Sequence, residues 1–209
     1  YMKVPINRDN QHFPTINNTQ FLNLFNAQVS TIYMENSNSR KKVIPLFLPS
    51  TSNSKLLIYL DFDAWFRSYL SISQDNSRIL LYKPNHTNLE DSLISILSWT
   101  NPKFQFLIVD SIPSFYQLLS KKDPNHASEL LFYYLSSLKN FVHTTNAKMI
   151  LLNFSLYKTF SKSNNKFTSM KVLNKISDNI IYINSINNTT NLHIYNNNLT
   201  IEKSVKLKN

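Results

Sequence analysis

Residues 104–110, FQFLIVD, form an apolar run broken once and closed by a carboxylate, with the hydroxyl of Ser111 directly after it. A buried strand of this kind delivers Asp110 to the carboxyl edge of a sheet, where an acid can serve a nucleotide site. That chemistry normally needs a second part, a glycine-rich loop whose backbone N–H groups close around phosphate. The chain contains no glycine in 209 residues. At the usual ~7% about fifteen would be expected. Whatever the origin of the bias, positions that need a positive φ must fall to Asn or Asp, the next most tolerant residues.

The remaining chemistry-bearing residues are sparse. Asp61 and Asp63 close the run LLIYLDFD; two acids at a strand end suit either a metal or acid–base pair or an ordinary structural strand end, and the structural role is favoured. His12, His86, His126, His143 and His193 are scattered without ligand spacing, which argues against a metal site. The absence of cysteine excludes disulfides, Cys-ligated zinc and thiol catalysis, and suits a reducing, intracellular compartment. Trp65 and Trp99 are expected to pack on the core.

Length and composition set the frame for these residues. A chain of 24.4 kDa with 42% hydrophobic and 13% aromatic residues suits one folded domain with a sizeable core. No apolar run approaches the length of a membrane helix, so no membrane association is expected. The opening residues, studded with Asn, Gln, Arg and Asp, do not read as a secretory signal. The chain begins with Tyr rather than Met, which leaves room for residues upstream. Sequons at Asn17, Asn85 and Asn187 carry no weight in so Asn-rich a sequence. The net charge of +10 favours a polyanionic partner, nucleic acid ahead of membrane.

The elements that must position Asp110 follow from periodicity. Residues 1–18 read as a polar arm, and 19–209 as a single domain. From Thr19, apolar residues Phe21, Leu22, Leu24, Phe25, Val29, Ile32 and Tyr33 recur at helical spacing. NSNSRKK (36–42) reads as a polar, basic break, and Val43–Leu48 as a short apolar segment ended by Pro49. LLIYLDFD (56–63), RILLY (78–82), FQFLIVD (104–110) and KMILLNF (148–154) read as buried strands. A helix capped at Thr87 or Asn88 and another over Ser128–His143 lie among them. Doubly apolar strands alternating with helices imply a mostly parallel sheet covered on both faces. NIIYIN (179–184), LHIYN (192–196) and 199–205 then read as antiparallel strands extending its C-terminal edge.

The order LLIYLDFDAWF, RILLYKPNHTNLEDSLISIL, FQFLIVDSIPSFYQ, LSSLKNFVHTTNAKMILLN and ISDNIIYI resembles the core of the RecA-type recombinase superfamily. It is closest in pattern to the divergent eukaryotic recombinase paralogues of Shu-complex and X-ray repair cross-complementing type, over roughly residues 55–185. The resemblance implies a RecA-like α/β fold. It makes Asp110 and Ser111 the Walker B position, sets Asn153 beside the nucleotide, and aligns Ser177, Asp178, Ile180, Ile181 and Ile183 with the motif before the terminal hairpin. Family ATPases place a glycine-rich loop before the strand matched by LLIYLD. Here the interval reads LFLPSTSNSK, with Lys55 but without glycine or the Gly-Lys-Thr/Ser ending. The Walker B residues are therefore expected to be vestigial, with no catalytic residue, no cofactor and no ATP hydrolysis.

Function is then expected on surfaces. The stretch 157–175 carries Lys158, Lys162, Lys166, Lys171 and Lys175 with no acid, interleaved with Tyr157, Phe160 and Phe167. Lysines attract phosphates and aromatic rings stack on unpaired bases. By resemblance this is the family's second DNA-binding loop, and Lys121 and Lys122 fall near its first. Arg40, Lys41 and Lys42, and likewise Lys203, Lys206 and Lys208, are expected as solvated ends or supplementary phosphate contacts. The resemblance implies a nuclear protein paired with another paralogue, binding single-stranded or fork-like DNA and assisting a recombinase filament. The N-terminal arm, with Phe13 and Pro14, is a candidate for docking on a neighbour, with a disordered tail as the alternative. Two other readings stand beside it: an Elongator-type accessory ring subunit, whose RecA-like members lack Walker motifs and bind tRNA, and a nucleotidase using Asp110 and Lys55.

Overall fold

The structure is a computed structural model that describes residues 14–25, 27–34, 37–48, 56–66, 78–99, 104–154, 165–186, 189–195 and 201–207. Among these residues nine strands form one sheet: β1 (Thr15–Ile16), β2 (Val29–Met34), β3 (Leu56–Asp61), β4 (Ile79–Tyr82), β5 (Phe104–Asp110), β6 (Lys148–Phe154), β7 (Asn179–Ile186), β8 (Thr189–Tyr195) and β9 (Ile201–Leu207), in the order β1-β9-β8-β7-β2-β6-β5-β3-β4. Every pair from β7 through β4 is parallel, whereas β8 and β9 add antiparallel. Among the described residues six helices are α1 (Asn18–Leu22), α2 (Ser37–Val43), α3 (Leu89–Leu97), α4 (Ile112–Lys122), α5 (Ala127–Thr144) and α6 (Asn165–Ile176), with a 3₁₀ turn over Ile44–Phe47. The expected α/β fold class, with a mostly parallel sheet and antiparallel C-terminal edge strands, is what forms.

The path across the sheet follows from the hand of parallel crossovers. From β2 the chain moves outward to β3 and β4, then returns through β5 and β6 and passes β2 to reach β7. Reversing direction reverses the face that receives each connection. Helices α3, α4, α5 and α6 accordingly pack on one face, where Leu131, Leu135, Leu138 and Val142 form the buried stripe of α5. Helix α1, the end of α2 and the 3₁₀ turn pack on the other. There Phe21, Phe25, Phe47 and Phe106 meet edge to face with centroids 5.0–5.8 Å apart, a favourable aromatic arrangement. Strands β5 and β6 are buried on both sides, so their near-continuous apolar sequences are a direct consequence of position.

Three expectations need correction. The helical spacing from Phe21 to Tyr33 divides into the five-residue α1 and strand β2, VSTIYM, which is wholly buried between β6 and β7. Two short elements happened to place apolar residues at a helical interval, while the β-branched Val29, Thr31 and Ile32 decide the strand. The basic break at 36–42 is mostly helix α2. Within the expected arm, Thr15–Ile16 pairs with β9 as an edge strand and Ile16 is buried; residues 1–13 lie outside the described residues. Asn146 takes a positive φ of 52°, as expected for a chain without glycine, but so does Ala64, at 58°.

Candidate functional site

In an open α/β sheet, ligands bind outside the carboxyl ends of strands where the connections change face. Strand β2 sends its connection to one face, and β5 and β6 theirs to the other, so the carboxyl ends of these strands and of β3 between them and the edge surround that crevice. Register places Met34 beside Phe154 and Asp61 beside Asp110. The sequence at these ends supplies an unusual set: Arg40 from α2, Tyr59 and Asp61 from β3, Asp63 and Trp65 from the turn after it, Asp110 from β5 and Phe154 from β6.

Asp110 is fully buried and Arg40 is 3% exposed. The Arg40 Nη2 donates to Asp110 Oδ2, which also accepts the Tyr59 hydroxyl. Arg40 Nη1 reaches Asp63 Oδ2 at 3.4 Å, and Ser114 of α4 donates to the other oxygen of Asp63. The guanidinium lies over Trp65 and Phe154, 4.9 and 4.4 Å from their ring centroids, within cation–π range. Asp110 Oδ1 has no hydrogen-bond partner among the described residues. Burial pushes the Asp110 carboxyl up to about 6, although the Arg40 charge and the hydrogen bonds from Tyr59 and Arg40 pull against that shift. Burial, reinforced by the Asp110 charge, raises the Tyr59 hydroxyl well above its ordinary value, so it remains a donor.

Local sequence explains how these groups are held. Asp61, buried, accepts the backbone N–H groups of Trp65 and Phe66 at 3.1 and 3.0 Å, closing a tight turn through Ala64. Its carboxylate is thereby satisfied, which supports the structural reading of that acid and separates it from Asp63. Ser111 caps α4 by accepting the Ser114 N–H, with Pro113 in the first turn where no donor is lost. Trp65 is 39% exposed, not a core residue as expected; one face covers Arg40. Trp99 is partly buried and packs on the core.

The expectation for Arg40 as a solvated end is overturned, since its partner Asp110 lies 70 residues away in sequence. The position at which a phosphate loop is expected also moves. A P-loop joins a strand directly to a helix, and the strand–helix junction beside Asp110 is β2 to α2, whose sequence runs MENSNSRKK from Met34 to Lys42. The interval LFLPSTSNSK instead precedes β3 and ends in residues 49–55, Lys55 included, which lie outside the described residues. The residues at the true junction do not fit a nucleotide with its metal. Asp110 Oδ2 already accepts from an internal cation and a phenol, so a metal brought to this carboxylate would meet the Arg40 charge, and the junction sequence contains no glycine, which a phosphate cradle needs.

The other predicted residues are dispersed. Lys158, Phe160 and Lys162 lie outside the described residues, and Lys166 and Phe167 fall in α6 where side chains are not described. Lys171 and Lys175 are exposed on α6. That helix ends where the Ile176 carbonyl accepts from Lys139 of α5, so Lys175 lies by the amino end of β7. Lys121 and Lys122 are exposed at the end of α4, with Lys122 Nζ 2.5 Å from Glu90 of α3. Asn153 is buried in register with Tyr33, one residue below the crevice. Asp178 is structural: its Oδ2 accepts the Val29 N–H and its Oδ1 the Lys139 ammonium, each at 2.8 Å.

Strand order, the switch-point crevice and the antiparallel edge together define a RecA-like fold. Comparison with solved structures agrees. The chain is similar to a crystal structure of the RadB recombinase, with a TM-score of 0.61 and 15% identity over 87% of each chain. No family model matches the sequence, and no curated protein does.

Proposed function

We propose that this chain is a non-catalytic recombinase paralogue. It forms a heteromeric complex with another paralogue in the nucleus, binds single-stranded or fork-like DNA, and assists assembly of a recombinase filament during homologous recombination and repair. The observation that carries the reading is the buried Arg40–Asp110 pair at the switch point of a RecA-like sheet. A RecA-like ATPase needs that carboxylate for its metal; here an arginine from the adjoining helix takes it. Without nucleotide chemistry, the scaffold acts by touching macromolecules, and the net charge of +10 favours nucleic acid. The lysine- and aromatic-rich stretch at 157–175 supplies the DNA contact, through Lys158, Lys162, Lys166 and Lys171 with Phe160 and Phe167; Lys175 is at best peripheral.

Two measurements on the purified chain, alone and with its co-purifying partner, test this. The chain should show no ATP turnover above buffer, and it should prefer single-stranded DNA to tRNA in direct competition. Turnover lost on Asp110→Asn would establish the nucleotidase instead, and a preference for tRNA would move the chain to an Elongator-type ring.

A further inference from the structure

We propose that the crevice at the carboxyl ends of β2, β3, β5 and β6 is a guanidinium site which the chain fills with its own Arg40, in place of a metal and phosphate. The inference rests on the non-catalytic reading and says what has replaced the nucleotide.

Charge comes first. Three carboxylates converge here, and the backbone N–H groups of Trp65 and Phe66 already satisfy Asp61. Asp63 and Asp110 remain, and Arg40 bridges them with its two terminal nitrogens. A bare phosphate would meet this pair as a like charge. Shape then selects the cation. A planar guanidinium offers donors in its plane and apolar faces above and below, and here its terminal nitrogens meet carboxylates while its carbon lies over the Trp65 and Phe154 rings. An ammonium has no flat face to place against two rings. Magnesium keeps several of its waters in near-octahedral geometry, and the indole and phenyl rings beside the guanidinium carbon offer those waters no good hydrogen-bond acceptor. The site also joins four separate strand ends, so its cation fastens α2 to β3, β5 and β6 with no dependence on nucleotide.

A cation tethered by its own side chain cannot turn freely, and Asp110 Oδ1 is left without a partner among the described residues. A free guanidinium ion in the same place can rotate to engage both oxygens. The site should therefore accept such an ion once Arg40 is truncated.

The experiment is thermal unfolding of the full chain as wild type and as Arg40→Ala, each with methylguanidinium, tetramethylammonium, magnesium chloride, or magnesium with ATP. Truncation should lower Tm by roughly 10 °C, the scale expected when one partner of a buried pair is removed. Methylguanidinium should recover part of that loss in the variant, saturably and at low millimolar concentration, while leaving the wild type unchanged or slightly lower. Tetramethylammonium and magnesium should not. An unchanged Tm on truncation, or equal recovery with every salt, overturns the proposal. Should Arg40→Ala fail to fold, Arg40→Lys decides: it keeps the charge without the planar fork, so a Tm well below wild type supports the site and a wild-type Tm overturns it. Stabilisation of the wild type by magnesium and ATP would sink the non-catalytic reading itself, whereas failed rescue beside an indifferent wild type sinks this inference alone.

Discussion

At the scale of single residues, Asp110 determines how stability responds to acid. Its folded pKa of about 6 lies above its ordinary 3.8 because burial outweighs the pull of Arg40. Between those values the native state binds more protons than the unfolded one, so this group's contribution to stability is full below about pH 4 and is lost as pH rises through about 6. A shift of two units corresponds to about 3 kcal/mol. Urea unfolding across that range should therefore show wild type losing stability relative to Asp110→Asn as pH increases, with a constant difference above the window. A difference that stays level, or grows with pH, means the carboxyl is not held in so dry a place. Ala64 offers a second check. Its φ of 58° puts a Cβ in the left-handed region, which costs on the order of 1 kcal/mol. Ala64→Gly, the first glycine in the chain, should raise stability by about that much in the same assay, whereas a destabilised variant would show that the methyl group packs.

At the scale of elements, β2 accounts for most of what the sequence concealed. The strands with continuous apolar runs, β3, β5 and β6, were plain because burial on both faces leaves them no polar positions. The C-terminal hairpin was plain because the turn-prone NNTTN separates two β-branched segments. Strand β2 contains Ser30 and Thr31, both buried, and follows a short helix with no proline or glycine to mark the break. A helical period across β2 hides its junction to α2 and leaves Arg40 in an apparent linker. Asp110 itself was legible as the end of a buried strand; its cation was not, because periodicity carries no information about contacts 70 residues apart. The start of β2 depends on Asp178, which receives the Val29 N–H and Lys139 together. Asp178→Ala should cost about 1–3 kcal/mol by leaving a strand N–H unpaired. Hydrogen exchange should locate the loss at the amino ends of β2 and β7, and uniform loosening across the sheet would count against so local a role.

At the scale of the whole molecule, the distribution of charge decides where a polyanion can sit. Of the twelve acids, Asp61, Asp63 and Asp110 lie at the crevice that holds Arg40, and Asp178 bridges the start of β2 to Lys139 of α5. Glu90, Asp91, Asp123 and Glu129 gather where α3 begins and α4 gives way to α5, and Glu90 holds Lys122 there. No acid occurs anywhere in 155–177, so the lysines of that stretch have no neighbour in sequence to neutralise them. Phosphate attraction should therefore be uneven across the surface even though the net charge is high. Replacing Lys158, Lys162 and Lys166 together with Glu should weaken binding to single-stranded DNA and reduce the slope of log K against log salt by about 2, the value for three lost phosphate contacts. Lys122→Glu, which breaks the pair with Glu90, should leave both affinity and slope unchanged. Equal losses from the two variants would show that the chain binds through its overall charge, and a loss from Lys122→Glu alone would move the DNA to the α3–α4 side of the sheet.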